Sequence, residues 1–103
     1  METVVEISSG RVRGAIRDGV SVFLGISYAA PPVGAHRLRP PQPVEPWTGV
    51  RDATAFGPEP PQPQFGMDDI SGLLFDPAVI GDDCLNLNVW TPDPGASGLP
   101  VFV

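Results

Sequence analysis

The sequence predicts a mostly β chain with long irregular connections. Three observations predict it. Apolar residues recur at every second position in several short runs, the spacing of a strand with one covered face. The dipeptide Asp18-Gly19, a strong two-residue hairpin signal, separates two of these runs. The rest is punctuated by 14 prolines and 12 glycines among 103 residues. So much proline and glycine approaches the level of low-complexity chains. The apolar share of 42% and its patterning argue instead for a folded, loop-heavy chain of one small domain's length.

In chain order, residues 3–7 read as a first strand and Ser8-Ser9-Gly10 as a turn. Residues 11–16 alternate again, and residues 20–26 follow Asp18-Gly19 as a third strand. These three should form an antiparallel meander, with Arg11 and Arg13 on its polar face serving solubility. Ala30-Pro31-Pro32-Val33-Gly34 then breaks regular structure. Pro40, Pro41, Pro43 and Pro46 hold the next stretch extended, because proline fixes φ and biases the residue before it. Trp47-Thr48-Gly49-Val50 reads as a turn into a short strand near Arg51. Residues 57–64 are proline-rich and read as a stiff surface connection, with a proline-rich partner ligand as the alternative. Residues 65–80 carry enough apolar groups to pack, with a short helical turn from Ile70 to Phe75.

The clearest strand follows. Leu85, Leu87 and Val89 alternate with Asn86 and Asn88, and Thr91-Pro92 stops the run. Residues 100–103 open one more apolar strand.

Charge is unevenly spread. Net charge is −6, and all six basic residues are arginines. These six against Glu2, Glu6, Asp18 and Glu45 leave residues 1–51 at +2. Residues 52–103 hold eight acids and no base, hence −8. A chain this acidic lacks the clustered cations that phosphate backbones need, so no nucleic-acid partner is expected. No apolar run reaches membrane-spanning length and no leader is visible, so a cytoplasmic location without membrane contact is expected. Cys84 is the lone cysteine, and no zinc-type spacing exists. No phosphate loop or dinucleotide fingerprint appears, and neither cofactor nor metal is expected.

Isolated candidates for chemistry fail on context. Gly25-Ile26-Ser27-Tyr28-Ala29 resembles a G-x-S-x-G elbow, but that motif needs a helix behind the serine, and Pro31-Pro32 follow instead. His36, the one histidine, has no nucleophile and acid beside it in sequence. Asp68-Asp69 and Asp82-Asp83 are adjacent pairs, which point to opposite sides of an extended chain. Cys84 has no histidine or lysine next to it to activate it and reads as a structural thiol.

Six stretches in register point further. They are Phe23-Leu24-Gly25-Ile26-Ser27-Tyr28-Ala29, Pro31-Pro32-Val33-Gly34, Arg37-Leu38-Arg39-Pro40, residues 46–53, Phe56-Gly57-Pro58 and residues 82–90. Together the chain resembles the N-terminal portion of type-B carboxylesterases, the family of cholinesterases and para-nitrobenzyl esterases. The resemblance implies an α/β-hydrolase fold of which residues 1–103 form an incomplete part. It implies a serine esterase acting on small-molecule carboxylic esters. The nucleophile, acid, histidine and oxyanion loop are all expected beyond Val103, so no catalytic residue is assigned here. Two other readings stay open: a non-catalytic cholinesterase-like binding or adhesion protein, and a self-contained proline-rich β interaction module.

The resemblance also implies local features. The family pairs the arginine after the Pro-Pro loop with the first acid of the acid-acid-cysteine signature, here Arg37 with Asp82. Many members close the loop between Phe-Gly-Pro and that signature with a disulfide; here Pro60 stands where the partner of Cys84 is expected. That departure suits a reducing compartment. The same loop borders the substrate gorge in the family, and Phe75-Asp76-Pro77 resembles its aromatic-Asx-Pro piece, making Phe75 a candidate gorge-lining residue. Ser27 stands where the family usually has proline.

Overall fold

A computed structural model describes residues 1–61 and 80–103. The expected helical turn from Ile70 to Phe75 lies outside the described residues. Strands β1 (Glu2–Ile7), β2 (Gly10–Arg17) and β3 (Val20–Ser27) form the predicted antiparallel meander. In β1 the alternation holds as read: Thr3, Val5 and Ile7 are half-buried, and Glu2, Val4 and Glu6 face out. The β2–β3 turn has φ of 52° at Asp18 and 78° at Gly19. Two positive φ values are what a twisted two-residue hairpin requires, and Asp and Gly tolerate them best. A short 3-10 turn spans Gly34–His36. Strands β4 (Val50–Asp52) and β5 (Asn86–Thr91) complete a five-stranded sheet.

The sheet departs from a plain meander. β2 pairs with β3 only from Ala15 to Arg17, against Val20 to Val22. Beyond Gly14 the two strands splay, and β4 enters parallel to β2, with Arg11, Val12 and Arg13 opposite Val50, Arg51 and Asp52. Ala53 then bridges the gap: its N–H donates to the Arg13 carbonyl at 2.7 Å, and its carbonyl accepts from Leu24 N–H at 2.8 Å. Gly14 sits where the strands part. A Cβ there would lie 2.4 Å from the Val22 carbonyl oxygen and 2.6 Å from the Phe23 ring.

A second irregularity frees Leu24 for that bond. β3 and β5 run antiparallel, with Phe23 opposite Val89 and Ile26 opposite Leu87. Leu24 and Gly25 therefore face Asn88 together, which is a β-bulge. Gly25 adopts φ of 69°, and its N–H is taken up by the Asn88 side-chain oxygen at 2.9 Å. Extra backbone donors created by the bulge are thus satisfied rather than orphaned.

The core gathers at this junction. Val12, Phe23 and Ala53 are 3%, 3% and 2% exposed, with Val5, Ile7, Ile26 and Trp47 packed against them. Trp47 docks the segment before β4 onto the β1–β2 turn. Its backbone N–H donates to Ser9 and its indole N–H to the Arg11 carbonyl, at 2.9 and 3.0 Å. The Arg51 guanidinium lies over the ring, 4.1 Å from its centre, in cation–π geometry.

Residues 100–103 differ from expectation. They pair with no strand among the described residues, and Val101, Phe102 and Val103 are exposed. An apolar run becomes a strand only when a neighbouring ladder takes its backbone groups. Among the described residues, no helix is long and apolar enough to cross a membrane.

Candidate functional site

Two regions around β5 concentrate the polar contacts and the exposed apolar surface. On one face, Leu87 and Val89 of β5 are exposed. An open groove of about 360 Å³ runs there, bordered by Val5, Ile7, Phe23, Ile26, Val89 and Val101. Its walls are largely aliphatic and offer contact area rather than proton transfer.

At the other face the asparagines work. Asn86 and Asn88 read in the sequence as the polar side of a half-buried strand. The structure gives both a specific task. Asn88 holds the Gly25 bulge. The Asn86 amide nitrogen donates to the Pro58 carbonyl at 2.9 Å and reaches the Asp83 carbonyl at 3.4 Å. Beside it, Glu59 and Ile80 form a parallel bridge, and Gly81 N–H donates to the Glu59 carbonyl at 3.1 Å. Tyr28 N–H donates to Leu85 at 3.0 Å and extends the β3–β5 ladder toward Cys84. Period-two spacing announced which way these asparagines point; Pro58 and Gly25 lie far away in sequence, so no local signal could name them as partners.

Arg37 and Asp82 are not brought together. Both side chains are exposed, and the ion pairs among the described residues are Arg13 with Glu2 and Arg13 with Asp52. Arg37 instead closes the 3-10 turn through its backbone N–H to Gly34. The physical reason is exposure: an ion pair in open solvent is worth about 0–1 kcal/mol, too little to pin the 31–41 loop to the start of β5. Cys84 is a half-buried free thiol. Phe75, the candidate gorge residue, lies outside the described residues. Ser27 ends β3 in register with Asn86, and His36 is exposed in the 3-10 turn. No group of three or more His, Cys, Asp or Glu placed to hold a metal ion exists among the described residues.

Arg13 is the arginine whose sequence reading changes most. It was expected on a solvated face. It is half-buried between strands, with its terminal nitrogen 3.4 Å from Asp52 and Nε 3.9 Å from Glu2. The Thr54 hydroxyl donates to the other Asp52 oxygen at 2.6 Å. That hydroxyl bond, the largest effect, outweighs the opposing effect of burial, and with smaller help from the Thr54 backbone and Arg13 it holds the Asp52 carboxyl below its ordinary value of 3.8. A carboxylate whose folded pKa is depressed stabilises the fold above its unfolded pKa. The contribution is lost as pH falls through the lowered folded value, so it is complete at neutral pH. Thr54→Ala is expected to move the Asp52 titration up toward 3.8, read by carboxyl-carbon NMR. An unmoved titration would assign the depression to Arg13 instead.

The small sheet, the bulged β3–β5 pair and the loops packed beside it define a segment of an α/β-hydrolase scaffold. Comparison with known proteins agrees. The profile of the carboxylesterase family matches residues 1–103, and the chain belongs to that family. It is 45% identical over 101 residues to phenmedipham hydrolase of Pseudarthrobacter oxydans and 41% identical to para-nitrobenzyl esterase of Bacillus subtilis (strain 168). Each match covers 97% of this chain and 20% of the relative, so the chain spans about one fifth of their length. Among solved structures, a PNB esterase superposes with a TM-score of 0.79 at 41% identity, over 94% of this chain and 19% of that one. The Geobacillus stearothermophilus carboxylesterase EST55 superposes with a TM-score of 0.66 at 42% identity, over 87% and 16%.

Proposed function

We propose that the whole protein is a serine carboxylesterase hydrolysing small-molecule carboxylic esters, and that residues 1–103 are scaffold for its site. The carrying observation is the similarity to ester hydrolases over the full chain at 41–45% identity, with the sheet superposing on theirs. Chemistry would proceed through an acyl-enzyme with an oxyanion hole, supplied by residues outside this segment. The connection between Phe56-Gly57-Pro58 and Cys84, with Phe75, would border the ester site. Pro60, standing where the family's partner for Cys84 is expected, supports a reducing compartment and with it a cytoplasmic location. Exposed Val89, Trp90 and Phe102 speak against a self-contained interaction module, which would close its own core.

The test is hydrolysis of a para-nitrophenyl ester by the full-length protein. Turnover should be abolished by a serine-reactive phosphonate and unchanged in Ser27→Ala and His36→Ala. The 103-residue chain by itself should give none. A full-length protein without turnover would favour the binding or adhesion reading. Loss of activity on changing Ser27 or His36 would overturn the assignment of this segment as scaffold.

A further inference from the structure

We propose that Asn86 is a positioning residue that fixes the neck of the connection between β4 and β5. Two chain segments meet there, residues 57–59 on the way out and residues 80–83 on the way back. Between them run a bridge of Glu59 with Ile80 and a bond from Gly81 N–H to the Glu59 carbonyl. Asn86 adds a tie from a third element, β5. One amide group on β5 donates to Pro58 in the outgoing segment and reaches Asp83 in the returning one. The fit is close. A Cβ at Gly57 would lie 2.7 Å from the Asn86 amide nitrogen and 2.8 Å from its carbon, so the amide lies against bare backbone. Gly81 likewise lies against Pro58, with a Cβ there 2.9 Å from the proline ring.

The chemistry demands an amide at this length. Both acceptors are carbonyls, so the side chain must donate. Aspartate has the same shape but, ionised, only accepts, and it would face two carbonyl oxygens. Glutamine donates but is one methylene too long for the Gly57 surface. β5 is tied to β3 by its own ladder and by Asn88, so it is a fixed post for the neck.

The consequence for catalysis rests on the ester-hydrolase reading. A neck set by Asn86 places the 57–59 and 80–83 backbone at the border of the ester site. Asn86 takes no part in bond making, so its loss should weaken substrate binding and leave the chemical step alone.

The experiment uses the full-length protein with Asn86→Asp and Asn86→Ala, and Asn88→Ala as the comparison. In both Asn86 variants, hydrogen exchange at the Gly81 amide should quicken about five- to tenfold, the effect of losing one partly buried hydrogen bond. Exchange at Gly25, whose N–H is accepted by the Asn88 side-chain oxygen, should stay as it was, and Asn88→Ala, which removes that acceptor, should reverse the pattern. With a para-nitrophenyl ester, KM should rise severalfold in the Asn86 variants while kcat changes less than twofold. Unchanged Gly81 exchange in both variants overturns the neck assignment, whether or not the protein hydrolyses esters. Quickened exchange with unaltered KM overturns the link to the ester site. Absence of all turnover in the unmodified protein strikes the ester-hydrolase reading, and the Gly81 exchange still decides the neck.

Discussion

Gly14→Ala is expected to destabilise the full-length protein by about 3 kcal/mol, the upper end for an overpacked site. One added methyl would meet the Val22 carbonyl oxygen at 2.4 Å and the Phe23 ring at 2.6 Å. The first neighbour is backbone and cannot rotate away. The second is the central side chain of the core. Relief would require β2 and β3 to separate where Ala15 pairs with Val22, and that would also strain the Ala53 bonds to Arg13 and Leu24. The contrast is Gly19→Ala. Gly19 has φ of 78° but nothing within 4 Å of its would-be Cβ. That change should cost only the left-handed backbone penalty, about 1–2 kcal/mol. Urea unfolding of the two variants separates the effects. A Gly14 variant no less stable than the Gly19 variant would mean that the strands part more easily than the geometry indicates.

Phe23→Ala should cost about 3–5 kcal/mol, the range for emptying an aromatic site in a packed core. Phe23 is 3% exposed, stacks with Val12 and Ala53, and forms part of the floor of the apolar groove. Its removal takes support from both the wedge of β2, β4 and β3 and the face next to β5. Against a typical domain stability of about 5–15 kcal/mol, this is a large share. Phe23→Leu should lose much less, because most of the apolar volume remains. A melting curve of Phe23→Ala within about 1 kcal/mol of the unmodified protein would place the core elsewhere.

Legibility in the sequence followed the range of the signal. Alternating side chains and the Asp18-Gly19 turn are local, and they located β1, β2, β3 and β5 to within two residues. The insertion of β4 was not legible as such. A short strand near Arg51 was expected, but three residues carry no period, and parallel pairing with the first half of β2 is a long-range fact. The β3 bulge was hidden too. Gly25 reads as one more glycine until Asn88 and Ala53 are seen taking the two displaced N–H groups. Arg13 was misread because alternation reports which face a residue occupies, not whether another strand will cover that face. Here β4 brings Asp52 over it. The Arg37–Asp82 pair came from resemblance rather than from residues, and exposure on both sides leaves it unformed. Family membership was legible because six motifs kept their order and spacing across the whole chain. The chemistry was not, since no residue among the 103 completes a nucleophile, base and acid.

The two indoles occupy contrasting settings. Trp47 is pinned over the β1–β2 turn beneath the Arg51 guanidinium, whereas Trp90 stands exposed on β5. Fluorescence therefore offers a pair of built-in probes of independent events. Emission from Trp47 follows the integrity of the small sheet, and a blue shift from Trp90 marks the moment another polypeptide shields the face of β5 from water. In the 103-residue segment by itself, Trp47→Phe would leave the second signal alone, so assembly of a tryptophan-free polypeptide onto it could be timed without any added dye.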